Sequence, residues 1–367
     1  MTSMKYFFAA FLFITCSFSA VSQENYFSVN GKVINAETKQ PLQGASVFAE
    51  NTTLGTATDK EGNFVLQLPN GGYDLVVSFT GFNTDSRRIS NTASSGLLFE
   101  LNQKNKTMEA VAVAATGEVK DGWGKYGSFF LEQFIGKTIN SASCEIKNKE
   151  VLKFYFSKRR NRLKVMASEP LQIENNALGY TIRYALDSFT HEYNSQVSLY
   201  TGYPLFEEKT AASGEEQLKW KTARQKAYNG SVLHFMRSVY NQQLSEEGFE
   251  IQFVVKINGT DSALRLKNYY AALNYKKDDS TQTVQILPNQ FEMGVIYNKE
   301  KPAEDFLKEN ADEPSGFQFS VLTFQPQRPV TIEQNGYYYE QNDITTNAYW
   351  TWDKVADALP YDYIYTP

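Results

Sequence analysis

The chain has 367 residues, with 41 acidic against 36 basic side chains, a formal net charge of −5 and a pI near 5.4. So mild an acidity carries no electrostatic footprint for nucleic acid. The length predicts two domains, and 26 Phe with 23 Tyr suffice to fill two cores without disulfide staples.

Lys5, the apolar run Tyr6 to Phe18 and the small-x-small triplet Ala20-Val21-Ser22 before Gln23 predict a signal peptide over residues 1–22, and hence export. The run is too short for a bilayer span, and no later segment has the uncharged length of a transmembrane helix, so no transmembrane segment is expected in the mature chain. Cys16 follows Phe13-Ile14-Thr15 instead of the small residues of a lipobox, so cleavage near Ser22 is favoured over lipid anchoring. Cleavage removes Lys5 and no acid, which takes the charge to −6, and leaves Cys144 as a single thiol without a disulfide partner.

Residues 26–102 read as an all-β sandwich of about seven strands, of the immunoglobulin or transthyretin kind. Apolar runs at Ser46 to Ala49, Phe64 to Leu68 and Tyr73 to Phe79 are each bounded by Gly, Pro, Asn or Asp. Asp59-Lys60-Glu61-Gly62 and Asn70-Gly71-Gly72 supply the reversals. Gly31-Lys32-Val33 with Pro41 to Val47, Gly55 to Phe64 and Gly72 to Phe82 together resemble the carboxypeptidase-regulatory-like (CarboxypepD_reg-like) module of Bacteroidetes envelope proteins. The resemblance implies a place in the periplasm or at the outer membrane or cell surface, and no settled activity.

Residues 103–127 read as a linker. In receptors that begin with the resembling module, this place holds a segment captured as a strand by the energy-transducing inner-membrane protein. Met108 to Gly117 matches that segment in part, and an Ala/Val strand bridging two domains reads the same way. Too few residues follow for a plug and a 22-strand barrel at about 10 residues per strand. Gly122-Trp123-Gly124-Lys125-Tyr126-Gly127 has the letters of a dinucleotide loop without a strand before it, so it reads as a flexible entry with glycines at positive φ.

Residues 128–367 read as an α+β domain, mainly antiparallel β with helical inserts. Ser128 is placed to cap a short helix ending at Gly136. Leu152 to Ala167 reads as a hairpin with a basic tip at Lys158-Arg159-Arg160-Asn161-Arg162. Asn175-Asn176 suits a turn before a strand from Tyr180, and further strands are expected at Phe249 to Ile257, Phe291 to Tyr297 and Phe317 to Val321. Glu215 to Tyr228 and Ser231 to Glu247 read as helices, the second with His234, Arg237 and Asn241 opposite its apolar face and Gly248 at its end. Pro170 to Tyr180, Tyr200-Thr201-Gly202, Arg224 to Tyr240 and Leu359 to Tyr363 resemble the uncharacterised region that follows the module in many Bacteroidetes proteins. That resemblance implies an architecture and a compartment only.

Two histidines, His191 and His234, lack metal-ligand spacing, and there is no G-x-S-x-G elbow. The acidic pairs Glu207-Glu208, Glu215-Glu216, Glu246-Glu247 and Asp278-Asp279 read as solvated, and Cys144 as a core thiol. No catalytic, metal or cofactor residue is therefore assigned, and no cofactor is expected. Tyr349, Trp350, Trp352, Tyr361 and Tyr363 form a candidate binding surface for an envelope protein or a glycan, with packing against the sheet as the competing reading. The sequence thus predicts a non-enzymatic exported envelope protein with an interaction or structural role. The alternatives are a glycan- or peptide-processing hydrolase, or an accessory of an outer-membrane uptake system. A pocket with converging acids of shifted pKa would favour catalysis, and an exposed aromatic patch would favour binding.

Overall fold

The computed structural model describes residues 26–90, 94–104 and 117–366. The expected signal peptide, Cys16 and residues 108–116 of the receptor-type segment lie outside them. Seven strands build the first unit: β1 Tyr26–Asn35, β2 Ser46–Ala49, β3 Gly55–Ala57, β4 Asn63–Pro69, β5 Tyr73–Ser78, β6 Asp85–Ile89 and β7 Ser94–Leu101. Their order is β4-β1-β7 in one sheet and β3-β2-β5-β6 in the other. Val29, Val33, Val47, Leu68, Leu75, Val77 and Phe99 are sealed between the sheets. The Asp59 carboxylate accepts from the backbone of Glu61 and Asn63, and Gly62 takes φ +79°, so this turn forms as its residues dictate. One pairing departs from the antiparallel expectation. β7 runs parallel to β1, with Val33 opposite Phe99, because the chain crosses from the β5–β6 hairpin back to the first sheet.

The larger unit has two lobes. In the first, β8 Cys144–Ile146, β9 Leu152–Ser157, β10 Arg162–Ala167, β11 Leu171–Asn175, β12 Tyr180–Glu192 and β13 Val197–Glu208 form one antiparallel sheet. β12 is long enough to pair with β11 and then β10 along one edge, and with β13 along the other. Helix α1, Gly122–Phe134, lays Phe130 and Phe134 on Leu163, Val165 and Ile182. It starts six residues before the expected cap. Asp121 caps it by accepting from Gly124 N–H at 3.1 Å, and the first helical position is Gly122, where Phe154 leaves no room for a Cβ. The stretch from Gly122 is therefore helix, neither flexible entry nor positive-φ loop.

Helix α2, Gly214–Tyr228, leads to α3, Val232–Tyr240, and the second lobe. Here β14 Phe249–Ile257, β15 Thr260–Arg265, β18 Glu292–Tyr297, β19 Gln318–Phe324 and β21 Ile344–Ala348 form a five-stranded sheet. A second sheet contains β16 Lys276–Asp278, β17 Thr283–Ile286 and β20 Val330–Ile332. Phe235, Met236 and Val239 of α3 share the core with both sheets. α3 ends seven residues earlier than its apolar pattern suggests, because the chain must turn at Gln242 to bury Leu244 and enter β14. His234, expected on the polar face, is buried. Its Nδ1 accepts from Gly230 N–H at 3.1 Å, so Nε2 carries the proton toward Glu247, 3.1 Å away.

Residues after β21 hold the lobes and the sandwich together. Trp350 belongs to the second core, while Val355, Ala356 and Leu359 belong to the first. Asp362 accepts from Thr53 of the sandwich through both its backbone and its hydroxyl. Arg237 of α3 donates to the carbonyls of Asn335, Tyr361 and Tyr363 at 2.9 to 3.0 Å, a planar fork fixing this segment. No helix among the described residues is long and apolar enough to cross a membrane.

Candidate binding cleft

The sandwich meets the larger unit along a polar seam. Phe206 N–H donates to Thr52 at 2.9 Å, Asn51 N–H to Pro204 at 2.8 Å and Tyr361 N–H to Asn51 at 2.7 Å. Gly72 lets this contact form, since a Cβ there would stand 2.5 Å from the Glu333 side chain and 2.8 Å from Tyr337. Beside the seam lies a cleft of about 630 Å3.

Its sandwich wall is one row across three strands. Ala49 pairs with Leu75 and Asp74 with Arg88, so Glu50, Asp74 and Arg88 follow one another across β2, β5 and β6. Like charges at opposed positions are unfavourable unless compensated. Asp74 accepts from the Tyr337 hydroxyl at 2.9 Å, and Arg88 meets Glu340 at 2.9 Å with Tyr339 under its guanidinium. Glu50 is left facing Asp74 and, from β12, Asp187. Burial above all, then those two carboxylates, pushes the Glu50 carboxyl up to about 8, so it is protonated at neutral pH. Burial also raises Asp187, opposed by Lys104.

The opposite wall is tyrosine-rich: Tyr184 on β12, Tyr200 and Tyr203 on β13, and Tyr361 from the C-terminal segment. Tyr184, Tyr200 and Tyr361 also line an adjoining, smaller hollow of about 390 Å3 together with Val232, Leu233, Trp350, Asp353 and Asp357. Asp353 is raised well above the usual carboxyl range by burial and by Asp357. The two hollows together offer neutral carboxyl, carboxylate, phenol and amide groups.

Of the five residues expected as a surface, Tyr361 lines both hollows, with Gln341 donating to its hydroxyl at 3.1 Å, and Trp350 lines the smaller one. Tyr349 and Trp352 are buried against Phe306, and Trp350 against Phe235, with its indole N–H donating to Gly230 at 2.6 Å. Tyr363 is half-buried beside Tyr228, and its carbonyl is taken by Arg237. Of the two readings, packing is the one that fits Tyr349, Trp350 and Trp352, because Phe306 and Phe235 supply the surfaces that bury them. Sequence reasoning misses Glu50, Asp74, Arg88 and Asp187. The available signal is an acid at the end of, or within, an otherwise apolar run, as at Glu50 and Asp74. His191 and His234 lie in separate lobes. Among the described residues no group of three or more His, Cys, Asp or Glu could hold a metal ion.

Residues 29–113 match the family model of the CarboxypepD_reg-like domain. Two curated relatives are TonB-dependent receptor P3 of Formosa agariphila, 24% identical over 30% of this chain, and TonB-dependent receptor SusC of Bacteroides thetaiotaomicron, 32% identical over 29% of it. The chain spans 10% of the length of each. Among solved structures, a DUF3823 family protein of Bacteroides ovatus aligns at 11% identity and TM-score 0.18 over 51% of this chain and 83% of its own. The 3-chlorocatechol 1,2-dioxygenase of Rhodococcus opacus aligns at 12% identity and TM-score 0.18 over 22% and 62%. The chain carries a CarboxypepD_reg-like domain at residues 29–113, similar to part of Bacteroidetes TonB-dependent receptors.

Proposed function

We propose that this is an exported, non-enzymatic envelope protein that binds a ligand or partner segment in the cleft between its sandwich and its larger unit. The observation that carries the reading is the composite lining: the sandwich supplies Glu50, Asp74 and Arg88, and the larger unit supplies the tyrosines and Asp187. A site assembled from two domains responds to its occupant by tightening their contact. The polar groups of the wall are largely engaged in holding the seam, as Tyr337 holds Asp74 and Glu340 holds Arg88. The matched receptors support an envelope setting linked to uptake at the outer membrane.

By the criterion set out from the sequence, the raised carboxyls of Glu50 and Asp187 in one cleft, with Tyr349, Trp350 and Trp352 buried, fall on the side of catalysis, and this is the second reading. A carboxyl protonated at neutral pH, beside other acids in a cleft, is the state a general acid requires, which suits a glycan- or peptide-processing hydrolase. Crosslinking and affinity purification from envelope fractions of the native host distinguish the two. The binding reading expects a specific protein or glycan that a Tyr361→Ala, Tyr203→Ala variant no longer retains. Equal recovery with that variant, or nothing above background, would contradict it.

A further inference from the structure

The basic hairpin tip has no part in the cleft, and its surroundings give it a use. Two turns meet at one end of the first lobe's sheet: Lys158 to Asn161 between β9 and β10, and Tyr193 to Gln196 between β12 and β13. Asn161 joins them, accepting from Tyr193 N–H at 3.1 Å and donating through its side chain to Asn194 at 2.9 Å. Glu192, the acid at this end, is held by Arg162. Lys158, Arg159 and Arg160 are exposed and make no ion pair among the described residues. Beside them on β13, Leu199 is 63% and Val197 45% exposed. Ser198 between them turns inward, its hydroxyl bonded to Gln133 of α1 at 2.9 Å, so Val197 and Leu199 share the face away from the helix. Lys164 on β10, opposite Thr190, projects from that face too.

We propose that this end of the sheet seats the protein on an anionic lipid surface, with the three tip cations among the headgroups and Val197 and Leu199 at the acyl boundary. The charge pattern favours such a surface: on a chain of net charge −5, an end with uncompensated cations is attracted while the rest is repelled, which fixes one orientation. The shape favours it as well. The tip cations and the two apolar side chains are exposed at one end of the sheet, and long-stemmed cations beside apolar side chains suit a diffuse phosphate layer.

Vesicle sedimentation of the chain from Gln23 onward tests this, using phosphatidylcholine with and without phosphatidylglycerol. Binding is expected only with phosphatidylglycerol, and to weaken as salt shortens the screening length. Removing three cations by K158A/R159A/R160A should weaken it roughly 100-fold. V197S/L199S should remove the part of binding that survives high salt. Both variants alter exposed side chains, so unchanged melting temperatures confirm folding. Three results would overturn the proposal: equal binding to neutral vesicles, a triple variant that binds like wild type, or binding to immobilised polyglutamate with none to phosphatidylglycerol vesicles at low salt.

Discussion

Replacing Glu50 by glutamine should change how stability depends on pH, in a direction the cleft dictates. Burial against Asp74 and Asp187 raises this carboxyl from an ordinary 4.5 to about 8. In the folded protein the proton is therefore held more tightly than in the unfolded chain. The associated stability is fully present below pH 4.5 and lost as pH rises through about 8. Each pH unit in that window costs about 1.4 kcal/mol, so wild type loses on the order of 3–5 kcal/mol across it, the lower figure allowing for the cleft's contact with water. A glutamine side chain at this position keeps the size and hydrogen-bonding capacity of the neutral acid and cannot ionise. The difference between wild-type and E50Q unfolding free energies, from urea titrations at pH 5, 7 and 9, cancels the contributions of other buried acids such as Glu333 and Asp353. E50Q should be close to wild type at pH 5 and more stable by several kcal/mol at pH 9. Parallel pH profiles would refute the reasoning, because they would mean that Glu50 ionises freely in the fold.

Three further outcomes follow from the seam and the C-terminal segment. Arg237→Lys keeps the charge but loses the planar fork to three carbonyls, and should cost about 2–4 kcal/mol while exposing residues after Leu359 to proteolysis, read by urea unfolding and mass mapping of the fragments. Trp350→Phe fills most of the same space but leaves the Gly230 carbonyl without its indole donor, for about 1–3 kcal/mol in chemical denaturation. Gly72→Val puts a branched side chain where Glu333 and Tyr337 stand, so the sandwich should retain its own fold but leave the larger unit, seen as a second unfolding transition and a larger hydrodynamic radius.

The first domain is readable because its turns are local. Asp59 to Gly62 bonds to itself, and Asn70-Gly71-Gly72 has the residues a reversal needs, so β2, β4 and β5 can be placed without knowing their partners, whereas β6 and β7 are counted in the total of about seven but not located. The parallel β1–β7 pair cannot, since register between distant strands is a property of the assembled sheets. In the larger unit, alternation locates β9, β10, β12, β14, β18 and β19 but passes over β13 and the short β11, β15, β16 and β17, and the pattern places α1 late because three glycines argue against a helix, although Phe154 leaves no room for a Cβ at the first of them. The pattern also extends α3 too far, because Leu244 continues the apolar period after the backbone has left it. The cleft is the least legible feature. Glu50, Asp74, Arg88 and Asp187 are far apart in sequence and ordinary in type, and only strand pairing and domain contact bring them together. The C-terminal aromatics mislead for the complementary reason: composition shows a cluster, whereas burial depends on Phe235, Phe306 and Gly230, which sequence does not link to it.

The claim that this protein binds in its cleft without transforming what it binds is tested most directly by presenting peptide and glycan libraries to the immobilised protein and to E50Q, then analysing retained and released species by mass spectrometry. The account predicts that wild type retains one class of molecule intact, and that loss of the Tyr203 and Tyr361 side chains releases it. Cleaved products that accumulate with wild type and vanish with E50Q would contradict the account and make Glu50 the acid of a hydrolase.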